Sequence, residues 1–267
     1  MAIINSTLNP LRFLKLSTHI LFAIIFIGQF VFALYIIGLY GVSGIAGDFE
    51  RWNTNAPHGY LKKDTIGNIF FGMHMVLAAI ITIGGPLQLI KKLRNKFRKT
   101  HRLIGRIYIA SAFIISFTGF FLVWVKGSVG GLVGSIFISI NGALIFICAY
   151  FALKKAMKKQ FAEHQKWAIR LFLTMSGVWF FRVLLMLWLT IHNGPVGFDP
   201  VKFQGPALIF LYVMSYIFPV LVAEYYFRKI NKSNLEKIKF AIFIIIITMG
   251  VLVGTFSATM GLWLPSL

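Results

Sequence analysis

Two histidines, His101 and His164, each stand at the start of an apolar run, directly behind a loop rich in lysine and arginine. Two imidazoles at one depth on different helices can hold a haem iron from both faces, and the axial ligands help to set its potential. Four residues on, along the same helical face, come Gly105 and Ala168, whose small side chains leave room for a flat macrocycle. Arg102, Arg106, Lys166 and Arg170 are placed to pair with its propionates, and a guanidinium suits bidentate carboxylate contacts. The same residues, together with Trp167, also suit an interfacial anchor or a site for anionic lipid headgroups. A haem b site and a headgroup site are both consistent with the pattern.

A second group lies deeper, towards the opposite ends of its runs. His74 is about seven residues in, roughly 10 Å at ~1.5 Å per residue, and Arg182 is about eight residues from the matching end of its own run. An ionisable group near the centre of a membrane helix costs ~2.5–3.5 kcal/mol on insertion scales and usually faces the bundle interior. Arg182 is therefore expected to face inward onto a helix carbonyl, an anionic group, or a ligand shared with His74, such as a quinone or other small molecule. The plain alternative for His74 is a neutral imidazole bonded to a neighbouring helix carbonyl. Asn141, midway along another run, is the remaining polar residue expected to look inward.

The elements that carry these residues follow from composition. Of 267 residues, 58% are hydrophobic and 13% charged, with a mean hydropathy of +0.80; a soluble domain has roughly 45–50% apolar and about 25% charged residues. A bilayer core needs about 20 apolar residues per helix. Seven runs qualify, near 16–40, 67–90, 103–125, 130–153, 167–191, 206–227 and 239–262. The expected fold is an all-α polytopic membrane bundle. The run after Arg12 and Lys15 is longer than the roughly 7–15 apolar residues of a signal peptide and reads as a span that stays.

Basic residues gather on alternate connections. The N-terminus, 91–106, 154–170 and 228–239 together hold 21 of the 27 lysines and arginines, while the other side has Arg51, Lys62, Lys63, Lys126 and Lys202. Such asymmetry marks the basic side as cytoplasmic. It places the N-terminus inside and, with seven spans, the C-terminus outside. The net charge of +20 thus reports topology; no nucleic-acid-binding signature accompanies it. The connection from Gly41 to Ile66 is too short for a domain and is expected to cap the bundle. Cys148 has no partner for an intramolecular disulfide.

The two basic loops align without a gap at an offset of 63 residues, 91–101 against 154–164, each ending in its histidine. Two readings stand: a duplicated hairpin related by an axis along the membrane normal, or two loops alike because all such loops are lysine-rich. Pro86, after Gly84-Gly85, is expected to loosen the end of the second run. Gly250 and Gly254 form a GxxxG that allows close helix packing. Glu224 is placed to answer a basic-side cation.

The segments Gly72-Met73-His74, Gly84-Gly85-Pro86-Leu87-Gln88, His101-Arg102-Leu103-Ile104-Gly105-Arg106-Ile107-Tyr108 and His164-Gln165-Lys166-Trp167-Ala168-Ile169-Arg170, with Arg182 beyond, resemble a prokaryotic family of membrane proteins of unknown function. The resemblance covers roughly 67–190 and implies a multi-pass protein of the cytoplasmic (inner) membrane. A looser likeness is to the di-haem b-type transmembrane cytochromes, with His101 and His164 as one histidine pair. A second pair would need a histidine on the fourth run, where Phe137 and Asn141 stand instead.

The leading expectation is a membrane redox protein or haem-binding subunit. A small-molecule transporter or lipid-binding protein, and an accessory subunit of a larger membrane complex with a protein partner, are the alternatives. The sequence carries no P-loop, dinucleotide fingerprint, HExxH or GxSxG motif.

Overall fold

An apolar segment in lipid must satisfy its own backbone amides, which in a single chain run means a helix. The computed structural model describes residues 9–127, 129–229 and 233–267; Lys232 of the last basic loop lies outside them. Among the described residues are α1 (Pro10–Ile45), α2 (Thr65–Leu89), α3 (Arg98–Lys126), α4 (Gly131–Met157), the pair α5a (Phe161–Met175) and α5b (Gly177–His192), α6 (Pro206–Lys229) and α7 (Asn234–Ser266). Six helices among the described residues are long and apolar enough to cross a membrane, and there are seven spans if the bent pair α5a–α5b crosses as one. No strand forms among the described residues, only an isolated bridge between Asp199 and Gln204. The protein is the all-α polytopic bundle expected from its runs.

Caps place the helix starts outside the apolar runs. The Asn9 side chain accepts from the amides of Leu11 (3.0 Å) and Arg12 (3.4 Å), and Pro10 has no amide to lose at the first helical position. Asp64 caps α2 by accepting from the Gly67 amide at 2.8 Å. At the end away from the basic loops, α1, α3 and α7 widen into π-helical turns at Ile37–Val42, Leu122–Lys126 and Thr259–Trp263.

The bend of 51° between α5a and α5b has a local cause, since Ser/Gly pairs are common kink sites. Ser176 donates its hydroxyl to the Phe172 carbonyl at 2.7 Å and accepts from Gln29 Nε2 at 2.6 Å. Gly177 lets neighbours close on the bend: a Cβ there would lie 2.7 Å from the Tyr216 ring and 3.0 Å from Asn141 Nδ2.

Successive hairpins pack α2 on α3, α3 on α4 and α4 on α5a. The helices outside this middle set close the bundle, with α7 between α1 and α5b, and α1 also against α2. The GxxxG is consumed here, because a Cβ at Gly254 would lie 2.5 Å from the Val183 carbonyl oxygen. By contrast, α3 and α5a barely touch. They part at the basic end of the bundle and leave a cavity between them.

The connection 46–64 caps the bundle, as expected. Trp52 is buried and donates its indole N–H to the Tyr40 carbonyl at 3.0 Å. Lys126 Nζ is 3.6 Å from the Asp64 carboxylate and also donates to the Gly59 carbonyl.

Candidate functional site

His101 and His164 are each the fourth residue of their helices, α3 and α5a. Each donates its backbone amide at 2.9 Å to the carbonyl of the residue preceding its helix, Phe97 or Gln160. The offset of 63 residues therefore survives as a common helical register. Both side chains line one cavity of about 720 Å³, and they are close enough to interact electrostatically. The volume is within the ~300–1,000 Å³ of sites for drug-sized ligands and cofactors.

All seven spans contribute to its wall. At the basic end stand His19, Gln88, Arg94, Arg102 and Arg106, with Arg102 and Arg106 exposed. Further in, the wall is apolar, with Phe22, Phe180, Leu184, Phe218, Ile247 and Val251. Gly105 and Ala168 line the middle and keep it open. The chamber therefore suits an amphiphile: a flat or extended apolar body with an anionic edge turned towards the arginines.

His164 is held in a defined tautomer. Its Nδ1 lies 2.9 Å from the Ala152 carbonyl oxygen, which can only accept, so Nδ1 carries a proton and, in the neutral ring, the lone pair is on Nε2. A carbonyl behind a histidine in this way fixes the ring and raises the basicity of the other nitrogen, as behind metal-bound histidines. Among the described residues there is no cluster of three or more histidine, cysteine or acidic side chains able to hold a bare metal ion.

Arg170 and Lys166 are engaged elsewhere. Arg170 forms an ion pair with Glu224 and stacks its guanidinium over Trp167, 4.4 Å from the ring centre. Lys166 pairs with Glu163 at 2.9 Å. Neither lines the large cavity. Glu224 thus answers one basic-side cation, by joining α6 to α5a.

His74 and Arg182 also meet on one wall, that of a smaller cavity of about 100 Å³ deeper in the bundle. His74 Nδ1 is 3.0 Å from the Thr118 hydroxyl, which itself donates to the Ile115 carbonyl at 3.1 Å. Thr118 therefore accepts from Nδ1–H, and the partner of His74 is a hydroxyl where a bare carbonyl was the plain expectation. Arg182 lies over the rings of Phe32 and Tyr35, at 5.2 and 5.8 Å. Asn141 is buried but lines neither cavity; it sits against the bend at Gly177 with its Oδ1 unbonded.

Several lining residues escape a reading of the sequence alone. His19 is an ionisable group inside the first span, and the rule that singles out His74 applies to it equally. Gln29, Tyr40 and Trp179 on the small cavity are ordinary within aromatic-rich apolar runs, and only the packing shows which way they face. Tyr108 and Phe172 line both chambers and form the partition between them.

A family profile described as "Predicted membrane protein (DUF2306)" matches residues 71–227. No curated protein and no solved structure matches the chain. The match takes in α2 to α6, including both histidines of the large cavity and the His74–Arg182 wall. On that extent the chain belongs to the DUF2306 family of predicted membrane proteins.

Proposed function

We propose that the chain is a haem-binding membrane redox subunit whose cofactor, a haem b, occupies the large cavity. The observation that carries this reading is the pair formed by His101 and His164, in matching register on two helices that part around a chamber of about 720 Å³. His164 would supply Nε2 to one face of the iron, with the Ala152 carbonyl holding Nδ1–H, and His101 would supply the other. Gly105 and Ala168 leave the macrocycle its width. Arg102 and Arg106, joined by Arg94, line the basic end of the cavity and would pair with the propionates. A bound haem supplies one-electron exchange. The protein's part is to hold it in an apolar body and to set its potential through the two imidazoles and the arginines.

The test is an absorption spectrum of the detergent-purified protein, oxidised and dithionite-reduced, after expression with a haem precursor. A Soret band with sharp reduced α and β bands is expected. No band, before or after reconstitution with haemin, sinks the reading. The predominantly apolar wall and basic rim support a second occupant class, an anionic lipid or quinone-like amphiphile. In that case native mass spectrometry shows a lipid-sized adduct and the spectrum stays blank.

The proposal includes orientation, with the basic loops and the N-terminus on the cytoplasmic side of a prokaryotic inner membrane, as the 21-to-5 distribution of lysine and arginine supports.

A further inference from the structure

The small cavity at Arg182 is a separate chamber whose contents are dictated by its unused donors. Each of the seven acidic residues lies in or near a connection or at a basic-side helix end, and none pairs with Arg182 among the described residues. The guanidinium brings up to five N–H donors into a wall that combines apolar residues such as Phe32, Ile36, Met75 and Ile81 with the polar side chains of Gln29, His74, Thr82 and Ser176. Two further donors on that wall are idle. Tyr40, 3% exposed, lies within hydrogen-bonding range of Arg182 and Tyr35, but its hydroxyl makes no hydrogen bond of good geometry with either. Trp179, 2% exposed, has an indole N–H with no acceptor. A buried donor left unmade costs about 1–3 kcal/mol, so two such groups beside a guanidinium that no carboxylate answers call for an acceptor.

The bend adds to the same field. Met175, Ser176, Val178 and Trp179 all line the cavity, so it abuts the first turn of α5b, a helix of 16 residues. A helix N-terminus carries partial positive charge and favours anions, and broken membrane helices present such ends to anionic substrates. The volume of about 100 Å³ is the liquid share of about three waters at ~30 Å³ each. It is too small for a ring with substituents.

We propose that this cavity binds a small planar oxyanion, a short carboxylate or inorganic ion of the formate, bicarbonate or nitrate type. Arg182 pairs with its oxygens, and Tyr40 and Trp179 donate to it. His74, whose Nδ1–H is spent on Thr118, offers Nε2 to an O–H where the ion carries one, as bicarbonate does. The inference is independent of what fills the larger chamber, because none of these residues lines it.

The experiment is a thermal-melt titration of the intact protein in detergent, in a gluconate buffer whose anion exceeds the cavity, with formate, bicarbonate, nitrate or chloride added. Saturable stabilisation by at least one planar oxyanion is expected. The apparent Kd should be at least tenfold weaker in Arg182→Gln and severalfold weaker in Tyr40→Phe, and unchanged in the exposed Lys62→Gln. Should Arg182→Gln fail to fold, Tyr40→Phe, which removes only a hydroxyl, decides. The proposal is overturned if no oxyanion stabilises the wild type beyond gluconate, or if the affinity is the same in Arg182→Gln or Tyr40→Phe. The haem reading is judged by a spectrum and stands or falls separately.

Discussion

At the scale of single residues, the basic-end arginines divide by what they already touch. Arg170 spends its charge on Glu224 and its face on Trp167, whereas Arg102 and Arg106 stand exposed on the rim of the large cavity. Substituting each should separate two roles. Arg170→Ala should destabilise the protein by about 1 kcal/mol for a partly exposed pair, read as a lower melting temperature, and leave any haem spectrum unchanged. His164→Ala should abolish the low-spin spectrum of a six-coordinate haem with little change in stability, since its side chain makes one hydrogen bond, to Ala152. Optical spectra and melts on the same preparations check both. The sequence showed which histidines stand at one depth but not which basic residues remain available to them. Availability depends on Glu224, more than fifty residues beyond Arg170 in the chain and brought near only by the fold.

Among the elements, the helices themselves were readable from hydropathy because lipid leaves an apolar run no other backbone solution. The bend in α5 was not. Ser176 and Gly177 barely alter the hydropathy of the run, and the kink depends on Gln29 from α1 and on the close approach of Asn141 and Tyr216. Gly177→Ala should therefore overpack the bend and destabilise by about 1–3 kcal/mol, read as a fall in melting temperature in detergent. Gly254→Ala should cost a similar amount through the Val183 carbonyl. Neither substitution should change the oligomeric state seen by size exclusion with light scattering, because both glycines close contacts within one chain. The GxxxG in the sequence announced a tight crossing without saying whose.

For the whole molecule, the two similar basic loops drew attention to the middle four helical runs, and His101 and His164 fall at the same position of their helices. Both chambers nevertheless need helices outside the middle set. The large one is walled by all seven spans, and the small one takes Gln29, Phe32 and Tyr40 from α1. Periodicity gives the face a helix buries but not the neighbour that meets it, and so Tyr40 carried no mark, while His19 is marked only as an ionisable group within a span. The proposed orientation rests on charge counts alone. A reporter active only in the cytoplasm, fused after residue 158, should be active, and one fused after residue 197 should be silent. The reverse pattern would invert the topology while leaving the chambers as they are.

The shared wall of Tyr108 and Phe172 has an electrical consequence. A chamber that opens at the basic end and is filled by water or a polarisable ligand carries the potential of that side up to the partition. The remaining voltage then falls across a thinner layer that includes Arg182. One elementary charge carried across a full 100 mV gains or loses ~2.3 kcal/mol. An ion held beside Arg182 sits within that steepened drop and is subject to a correspondingly large share of it. The thickness of one tyrosine and one phenylalanine would thus make occupancy of the inner wall a function of the energised state of the membrane.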